Sequence, residues 1–262
     1  MLKKIFWSTF SSLSAIEHYQ KKIRDVEWNS YCNYIPRNSN FLDVGCGAGY
    51  NLLRAKVDLA CTVVGVDPDP GAHGVGRYTQ GIIEDRSIIQ GFAEKLPFND
   101  ASFEVVFSSH VLEHVTSMEA SLLEMRRVLK PGGVLIIGMP TTTMSVVALI
   151  SHFFFTSHVN FLFFLKSLFS FQKDVLDRFV HIFIPRSHSF PNARFIFYDL
   201  RNYSIRNWRN IILQNWKIEK QLMPMLYPYP DYIQWFPMLK SKYLSSSVFF
   251  ICRKDSFWQS IL

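Results

Sequence analysis

The sequence predicts an α/β fold in which a mostly parallel sheet of seven strands is covered by helices on both faces. Short apolar runs alternate with helical segments between residues 40 and 140, and this alternation is typical of parallel strands joined by crossover helices. Two later runs, 216–222 and 247–253, add the last two strands. A chain of 262 residues is long enough for one such domain with a substantial appendage.

The individual elements follow from the apolar runs and from the residues that end them. A helix is predicted over Ser117–Lys130, where apolar residues recur at helical spacing and Pro131-Gly132-Gly133 follows. Ligands of such sheets bind beyond the carboxyl ends of the strands, where the strand order reverses. The other predictions are a helix at residues 50–60 and strands at residues 41–45, 62–67, 87–90, 103–108 and 134–138.

Four segments are predicted along the chain: a helical cover (1–37), a ligand-binding core (38–140), an insert or lid (141–215) and the final strands (216–262). The first ten residues begin like a signal peptide, but a sustained apolar core and a small-residue cleavage site are missing, so we expect no export signal. The four cysteines are scattered without a Cys-x-x-Cys pair. This pattern favours a reducing, cytoplasmic setting and argues against a structural zinc site.

A glycine-rich loop, Asp43-Val-Gly-Cys-Gly-Ala-Gly49, follows the first predicted strand. Glycine lets a ligand approach the backbone closely and lets a turn adopt positive φ angles. A nicotinamide-binding loop would have the spacing Gly-x-Gly-x-x-Gly, whereas the glycines here are Gly45, Gly47 and Gly49, followed by Tyr50. The tighter spacing favours a cofactor without phosphate, although a tight strand-to-helix connection would use glycines as well.

An acidic residue, Asp67, ends the second predicted strand and is followed by Pro68. A carboxylate at this place can accept two hydrogen bonds from the hydroxyls of a ribose, and such charge-assisted bonds are stronger than neutral ones. The alternative is an Asp that only forms the turn before the proline.

Five segments, in this order, resemble the class I S-adenosylmethionine-dependent methyltransferases, in particular the type 11 group that includes ubiquinone-biosynthesis and other small-molecule methyltransferases. The resemblance covers residues 38–140 and implies a Rossmann-like core that binds S-adenosylmethionine. It implies, further, that the insert shapes the site of the methyl acceptor. The matching segments are Phe41–Gly49, Val64–Asp69, Gly91–Phe98, Phe103–Val115 and Glu124–Gly133.

The resemblance also implies where each part of the cofactor lies. Asp43 and the glycine loop hold the methionine portion, Asp67 holds the ribose, residues 91–93 edge the adenine, and Ser109 and His110 lie near the reactive sulfonium. Phe92 departs from the family, which commonly has an Asp there that accepts a hydrogen bond from the adenine amino group. In this chain the adenine would be bound by Gln90, by a backbone carbonyl or by stacking on Phe92. The residues predicted to bind the cofactor are Asp43, Gly45, Cys46, Gly47, Gly49, Asp67, Pro68, Phe92, Ala93 and Ser109.

Two histidines, His110 and His188, are predicted as candidate catalytic bases. Methyl transfer to a hydroxyl needs a proton acceptor, which contributes about 10²–10⁴ in rate, and an unperturbed imidazole titrates close to neutral pH. His110 follows the fourth predicted strand and would face the crevice, whereas His188 lies in the insert and would approach from the other side. The alternative is that either histidine only shapes the pocket.

The segment His110-x-x-Glu113-His114 offers three side chains that can ligate a metal ion. The matching segment binds a divalent metal in certain ubiquinone O-methyltransferases, which have Glu at the position of His110. A Glu-His pair is also frequent in the wider family without any metal, and the sequence fixes no fourth ligand. We therefore predict no metal ion.

The second half of the chain differs from the first in charge and in apolar composition. Residues 1–140 carry 14 Lys+Arg and 15 Asp+Glu, whereas residues 141–262 carry 14 and 6. The basic surplus fits an anionic head group or diphosphate, or an ordinary solvated surface. Val146–Leu165 has 14 apolar residues of 20 but also histidines, an asparagine and hydroxyls, so it predicts a lid or a lipid-facing element rather than a membrane span.

The acceptor is predicted to be a small molecule or a glycan, with peripheral contact to the inner face of the membrane through residues 146–172. Residues 183–188, followed by Phe197–Asp199 and Trp208, loosely resemble the insert of methyltransferases encoded with surface-polysaccharide pathways, which implies a sugar or lipid-linked glycan. The alternatives are a lipid or quinone methyltransferase at the membrane and, from another class, a non-catalytic binding protein. Nucleic acid is not expected, because Ser108-Ser-His110 stands where an Asn/Asp-Pro-Pro-Tyr/Phe motif would be needed.

Overall fold

The computed structural model describes residues 13–75, 87–153, 157–169, 175–189, 192–227, 238–241 and 243–254. The prediction about the first ten residues lies outside the described residues. Parts of the predicted insert and of the final segment lie outside them as well.

The described residues form one seven-stranded sheet and a set of helices, and most of the predicted elements begin and end within two residues of their observed bounds. The strands are β1 (Asn40–Val44), β2 (Thr62–Asp67), β3 (Ile88–Gln90), β4 (Phe103–Ser109), β5 (Leu129–Pro140), β6 (Lys217–Leu222) and β7 (Ser247–Arg253). The helices are α1 (Leu13–Tyr31), α2 (Tyr50–Leu59), α3 (Met118–Val128), α4 (Thr142–Ser151), α5 (Ser157–Phe169), α6 (Val175–Phe183), α7 (Ile196–Asn202) and α8 (Ile205–Leu213).

The sheet has the strand order β3-β2-β1-β4-β5-β7-β6. The first five strands are parallel, and β7 runs antiparallel between β5 and β6. The order reverses between β1 and β4, which places a crevice at the carboxyl ends of these two neighbouring strands. The predicted α/β fold with a mostly parallel, seven-stranded sheet is confirmed.

Two apolar layers cover the sheet, because successive side chains of a strand point to opposite faces. On one face, Leu135 and Ile137 of β5 pack with residues of α3 and α8. On the other face, Ile136 packs with residues of α1 and α2. Tyr31 of α1 anchors this second layer, since its ring centroid lies 5.1 Å from that of Phe107 and 4.8 Å from that of Phe249.

The predicted helix over Ser117–Lys130 is wrong at its end, since α3 stops at Val128 and β5 begins at Leu129. Leu129 pairs with Phe103 of β4, and the backbone of Gly132 donates a hydrogen bond of 3.0 Å to the carbonyl of Lys254. Pro131 and the glycines break the helix, but neighbouring strands satisfy the backbone groups of this segment. Pro131, Gly132 and Gly133 therefore belong to β5 and do not form a separate turn.

The predicted insert is largely helical where the structure describes it. The apolar stretch 146–165 contributes to α4 and α5, and residues 154–156 between these two helices lie outside the described residues. Within the described ranges, no helix is both long and apolar enough to cross a membrane. The indole of Trp208 in α8 donates a hydrogen bond of 2.7 Å to the carbonyl of Pro140, which ties the far end of the insert to the end of β5.

Candidate functional site

The glycine loop adopts a backbone shape that only glycine takes without strain. The φ angles of Gly45, Gly47 and Gly49 are +78°, +54° and +82°, in the left-handed region that disfavours a Cβ atom. A Cβ atom on Gly45 would lie 2.1 Å from Cγ2 of Val111, and one on Gly47 would lie 2.6 Å from the carbonyl oxygen of His73. The loop is therefore crowded from two sides, and side chains are excluded from it.

Asp67 connects the end of β2 with the glycine loop. Its Oδ2 accepts a hydrogen bond of 2.7 Å from the backbone N–H of Gly47, and its Oδ1 accepts one of 2.9 Å from that of Asp69. The backbone N–H of Gly45 donates a hydrogen bond of 2.7 Å to the carbonyl of Val66. These bonds hold the loop against the carboxyl ends of β1 and β2, with a carboxylate at the centre.

Asp43 is a buried acid with an unsatisfied oxygen. Its side chain is 1% exposed, and its Oδ2 has no hydrogen-bond partner among the described residues. Burial, reinforced by the negative charge of Asp67, raises the pKa of Asp43 to about 8. A ligand with a positively charged donor group would supply the missing partner, so this carboxylate fits the amino group of the methionine portion of S-adenosylmethionine.

The residues predicted at the adenine edge divide between the surface and the core. Phe92 is 65% exposed, whereas Ala93 is buried. Gln90 donates a side-chain hydrogen bond of 2.9 Å to the carbonyl of Pro68, so its amide nitrogen is already engaged. Cys46 belongs to the core, where its Sγ would lie 2.5 Å from a Cβ atom on Gly65. The backbone of Cys46 is part of the glycine loop, whereas its side chain is buried.

Three histidines surround one carboxylate just after β4. Oε1 of Glu113 lies 3.7 Å from Nδ1 of His110, 3.9 Å from Nε2 of His114 and 3.4 Å from Nε2 of His188. Neither oxygen of Glu113 has a hydrogen-bond partner among the described residues, and both are buried. We call these four residues the histidine cluster. It adjoins the glycine loop through Val111, which contacts Gly45.

His110 is held at the end of β4 in a strained backbone conformation. Its φ is +56°, which is uncommon for a residue other than glycine, and its N–H donates a hydrogen bond of 2.9 Å to the carbonyl of Gly138. Burial, with the positive charge of Arg24 and the neighbouring histidines, keeps the pKa of His110 well below its ordinary value. Ser109, the residue before it, has a buried hydroxyl without a hydrogen-bond partner among the described residues.

His188 reaches the cluster because a buried acid holds its loop. Asp199 of α7 accepts hydrogen bonds from the backbone N–H of His188, at 2.7 Å, and from the hydroxyl of Ser187. The side chain of Asn192 donates to the carbonyl of His114 at 3.0 Å, which joins the same loop to the segment after β4. The sequence analysis names Asp199 only as the end of the segment Phe197–Asp199 and does not name Asn192. It missed the convergence on Glu113 because the partners are distant in sequence.

The comparisons with known proteins concern mainly the first half of the chain. Residues 42–137 match the family model described as a methyltransferase domain, which confirms the predicted resemblance. An uncharacterized methyltransferase of Mycolicibacterium gilvum is 36% identical over 114 residues, which is 43% of this chain and 44% of the relative. A sterol 4-C-methyltransferase of Caenorhabditis elegans is 31% identical over 39% of this chain and 31% of the relative. The matched part thus spans less than half the length of these curated relatives.

A solved structure resembles the chain over nearly its whole length. An S-adenosylmethionine-dependent methyltransferase of Thermotoga maritima superposes with a TM-score of 0.55 at 19% sequence identity, covering 97% of this chain and 100% of that one. At this level of identity the likeness bears on the fold alone. It extends the shared architecture beyond the matched domain to the insert and the final strands.

Proposed function

We propose that this chain transfers a methyl group from S-adenosylmethionine to a small-molecule acceptor, because residues 42–137 match the family model of a methyltransferase domain. The observation that carries the proposal is the crowded glycine loop, with Asp43 and Asp67 beneath it at the switch point of the sheet. The fold alone would not identify the function, because proteins with the same fold have many different functions.

The cofactor-binding roles follow from the donors and acceptors around the loop. Asp43, whose Oδ2 has no hydrogen-bond partner among the described residues, would accept from the amino group of the methionine portion. Asp67 would accept from the ribose hydroxyls, in exchange for the backbone groups that its oxygens now engage. Phe92 is exposed and would cover one face of the adenine. These roles remain our proposal.

When bound, S-adenosylmethionine supplies a methyl group on a positively charged sulfur, and transfer leaves a neutral thioether. The protein has to align the acceptor atom with this group and keep water away, and alignment alone contributes about 7–11 kcal/mol. The histidine cluster adjoins the glycine loop through Val111. We propose that the acceptor atom lies between them.

His110 and His188 would assist the removal of a proton from the acceptor. They approach the same point from the end of β4 and from the insert, as their shared neighbour Glu113 indicates. As general bases, which the sequence predicts them to be, each would use the lone pair of one ring nitrogen. A hydroxyl acceptor requires this assistance more than a thiol or an activated carbon does.

We propose a glycan or lipid-linked sugar as the finer acceptor class, with the insert in contact with a membrane surface. Support comes from the basic surplus after residue 140 and from large apolar side chains that face solvent on α4, α5 and α6. A lipid or quinone acceptor is the second candidate, favoured by the same apolar side chains. The most exposed of them are Ile150, Phe161, Leu162, Leu176 and Phe183.

The decisive test is cofactor binding by calorimetry on the purified full chain. S-adenosylmethionine is expected to bind at micromolar concentration, and Asp67→Ala should weaken binding by roughly 1.5–3 kcal/mol, as for a hydrogen bond to a charged group. Asp100→Ala is the matched control, because Asp100 is an exposed acid of the same domain that contacts Arg127. An intact, folded protein that does not bind the cofactor would refute the proposal.

A non-catalytic binding protein is separated from an enzyme by following the methyl group. Labelled S-adenosylmethionine is incubated with the protein and with small-molecule and lipid extracts, and the demethylated product is measured. An enzyme is expected to release the demethylated product in an amount that rises with the amount of one of the extracts. Tight cofactor binding without product in any extract would favour the binding protein.

A further inference from the structure

Glu113 differs from two other buried acids, Asp67 and Asp199, in its hydrogen bonding. Asp67 and Asp199 are buried too, and each accepts hydrogen bonds at both oxygens. Glu113 is equally buried, yet neither of its oxygens has a hydrogen-bond partner among the described residues. An ionised carboxylate in this situation is unfavourable unless a cation or several donors face it.

Ring nitrogens, not hydrogen-bond donors of the backbone, face this carboxylate. One atom from each of His110, Glu113 and His188 can be chosen so that all three lie within 4.8 Å of one another. Ligands of a single ion at metal–ligand bonds of about 2.1 Å lie ~3.0–3.4 Å apart. The separation of 3.4 Å between Glu113 and His188 already has this size, and that of 3.7 Å between Glu113 and His110 needs a small side-chain movement.

The surrounding structure positions His110 and His188 through their backbone groups. His110 is positioned by its left-handed backbone and its bond to Gly138, and its Nε2 is buried without a hydrogen-bond partner among the described residues. His188 is positioned through its backbone N–H, which donates to Asp199. This backbone support leaves Nδ1 of His110 and Nε2 of His188 facing Oε1 of Glu113.

From this geometry we propose that His110, Glu113 and His188 bind one divalent transition-metal ion of the Zn²⁺ type, beside the glycine loop. Two imidazoles and one carboxylate suit such an ion better than Mg²⁺ or Ca²⁺, which prefer oxygen ligands throughout. The expectation of a metal-free site rested on the local segment after β4. It is revised because His188, from the insert, supplies a ligand that no local spacing indicates.

Three protein ligands leave coordination positions open, which is typical of catalytic rather than structural sites. A hydroxyl of the acceptor would occupy one of them. Its O–H bond would break with the electron pair remaining on oxygen and the proton passing to solvent. The oxygen would then form a bond to the methyl carbon while the bond from that carbon to sulfur breaks, which leaves the neutral thioether. His110 and His188 thus assist deprotonation as ligands, and their lone pairs are no longer available for a role as general bases. This acceptor step rests on the proposed methyl transfer, whereas the binding of the ion is independent of it.

The test is metal binding by the full chain after treatment with a chelator. Titration calorimetry with Zn²⁺, and absorption spectroscopy with Co²⁺ as a coloured substitute, should show one ion per chain, and millimolar Mg²⁺ should not compete. Glu113→Gln and His188→Asn should each weaken Zn²⁺ binding by about 100-fold or more. Asp199→Asn, which acts only through the loop of His188, should weaken it by about 10–100-fold.

His152→Asn is the matched control, because His152 is a buried histidine that contacts the carbonyl of Ile182 outside the cluster. Thermal unfolding without metal shows whether each variant is folded, and Zn²⁺ should raise the Tm of the parent chain but not that of Glu113→Gln. If Glu113→Gln does not fold, the half-buried His188 provides the alternative variant.

The proposal is overturned if the parent chain binds no Zn²⁺, or if Glu113→Gln and His188→Asn bind it as the parent does. S-adenosylmethionine binding is measured on the same samples and should be unchanged in these variants. Loss of cofactor binding by the parent chain would contradict the proposed function and leave the metal result standing. Failure of metal binding alone would return His110 and His188 to the role of general bases.

Discussion

The glycine loop after β1 and the histidine cluster after β4 lie side by side at the same edge of the sheet, yet they are built differently. The loop is one contiguous segment whose function depends on backbone shape, since positive φ angles and close contacts exclude side chains from it. The cluster joins His110 and Glu113 with His188, and it depends on side chains held by distant elements.

This difference agrees with what the relatives share. The family match covers residues 42–137, which include the loop and the first part of the cluster but not the insert. A backbone cradle can serve a common cofactor in many proteins, whereas a cluster completed from an insert can differ from one acceptor to the next. Substitutions should therefore act differently on the two sites.

The largest expected effect comes from adding one methyl group to the loop. Gly45→Ala places a Cβ atom 2.1 Å from Val111 and should destabilise the fold by about 3 kcal/mol and abolish measurable cofactor binding. Gly132→Ala is the matched control: its φ is +73° but the added atom meets open space, so only the left-handed strain of ~1–2 kcal/mol applies. Chemical unfolding and calorimetry measure both. Equal effects of the two variants would show that crowding at the loop is unimportant.

The second expected effect concerns the pH dependence of Asp43. Its folded pKa of about 8 lies above the ordinary value of 3.8, so folding favours the protonated carboxyl. The resulting contribution of Asp43 to the free energy of unfolding is fully present below the ordinary pKa and is lost as the pH rises towards 8. Asp43→Asn should remove this slope and stabilise the cofactor-free protein at pH 8 by about 1–3 kcal/mol, which is roughly 2–6 °C in Tm.

The same variant should weaken S-adenosylmethionine binding, because the amide cannot offer a negative charge to the amino group of the cofactor. Thermal unfolding at several values between pH 4 and pH 9, with and without the cofactor, records both effects. If Asp43→Asn is less stable than the parent chain at pH 8, the buried carboxyl is better satisfied than its environment suggests. Unchanged cofactor affinity would remove Asp43 from the binding site.

A smaller effect is expected where the insert is joined to the cluster. Asn192→Ala removes the hydrogen bonds to the carbonyls of His114 and Val115, worth about 0.5–1.5 kcal/mol. It should weaken Zn²⁺ or acceptor binding by a few-fold and leave cofactor affinity unchanged. Asn202→Ala, which removes a hydrogen bond within the insert to the carbonyl of Tyr198, is the control. A loss of cofactor affinity in Asn192→Ala would show that the two sites are not independent.

The smallest effect on stability is expected on the apolar surface of α5. Phe161→Ser combined with Leu162→Ser changes two exposed side chains and should alter stability by less than ~1 kcal/mol. It should nevertheless reduce co-sedimentation with anionic liposomes, whereas Val57→Ser, at an exposed position of α2, should not. High salt should also reduce co-sedimentation, because it screens charge attraction. Recovery of the parent chain in the supernatant with and without liposomes would favour a lid over the site.

Much of the core was predictable because its signals are local. Short apolar runs predict β1, β2 and β4 closely, since a buried parallel strand needs a short continuous apolar segment. The prediction failed at Leu129–Gly133, where helix-breaking residues became part of β5. Hydrogen bonds from β4 and from Lys254 decide that outcome, and both partners are remote in sequence.

The amino-acid order alone accounts for the glycine loop, for Asp67 and for the placement of the core, because backbone conformation and strand burial depend on adjacent residues. Only the tertiary structure joins His188 to Glu113, through a loop held by Asp199. Only the tertiary structure, likewise, places Val111 against Gly45 and so brings the two sites together. The physical reason is that such contacts depend on how the insert packs against the sheet edge, and no local periodicity encodes that packing.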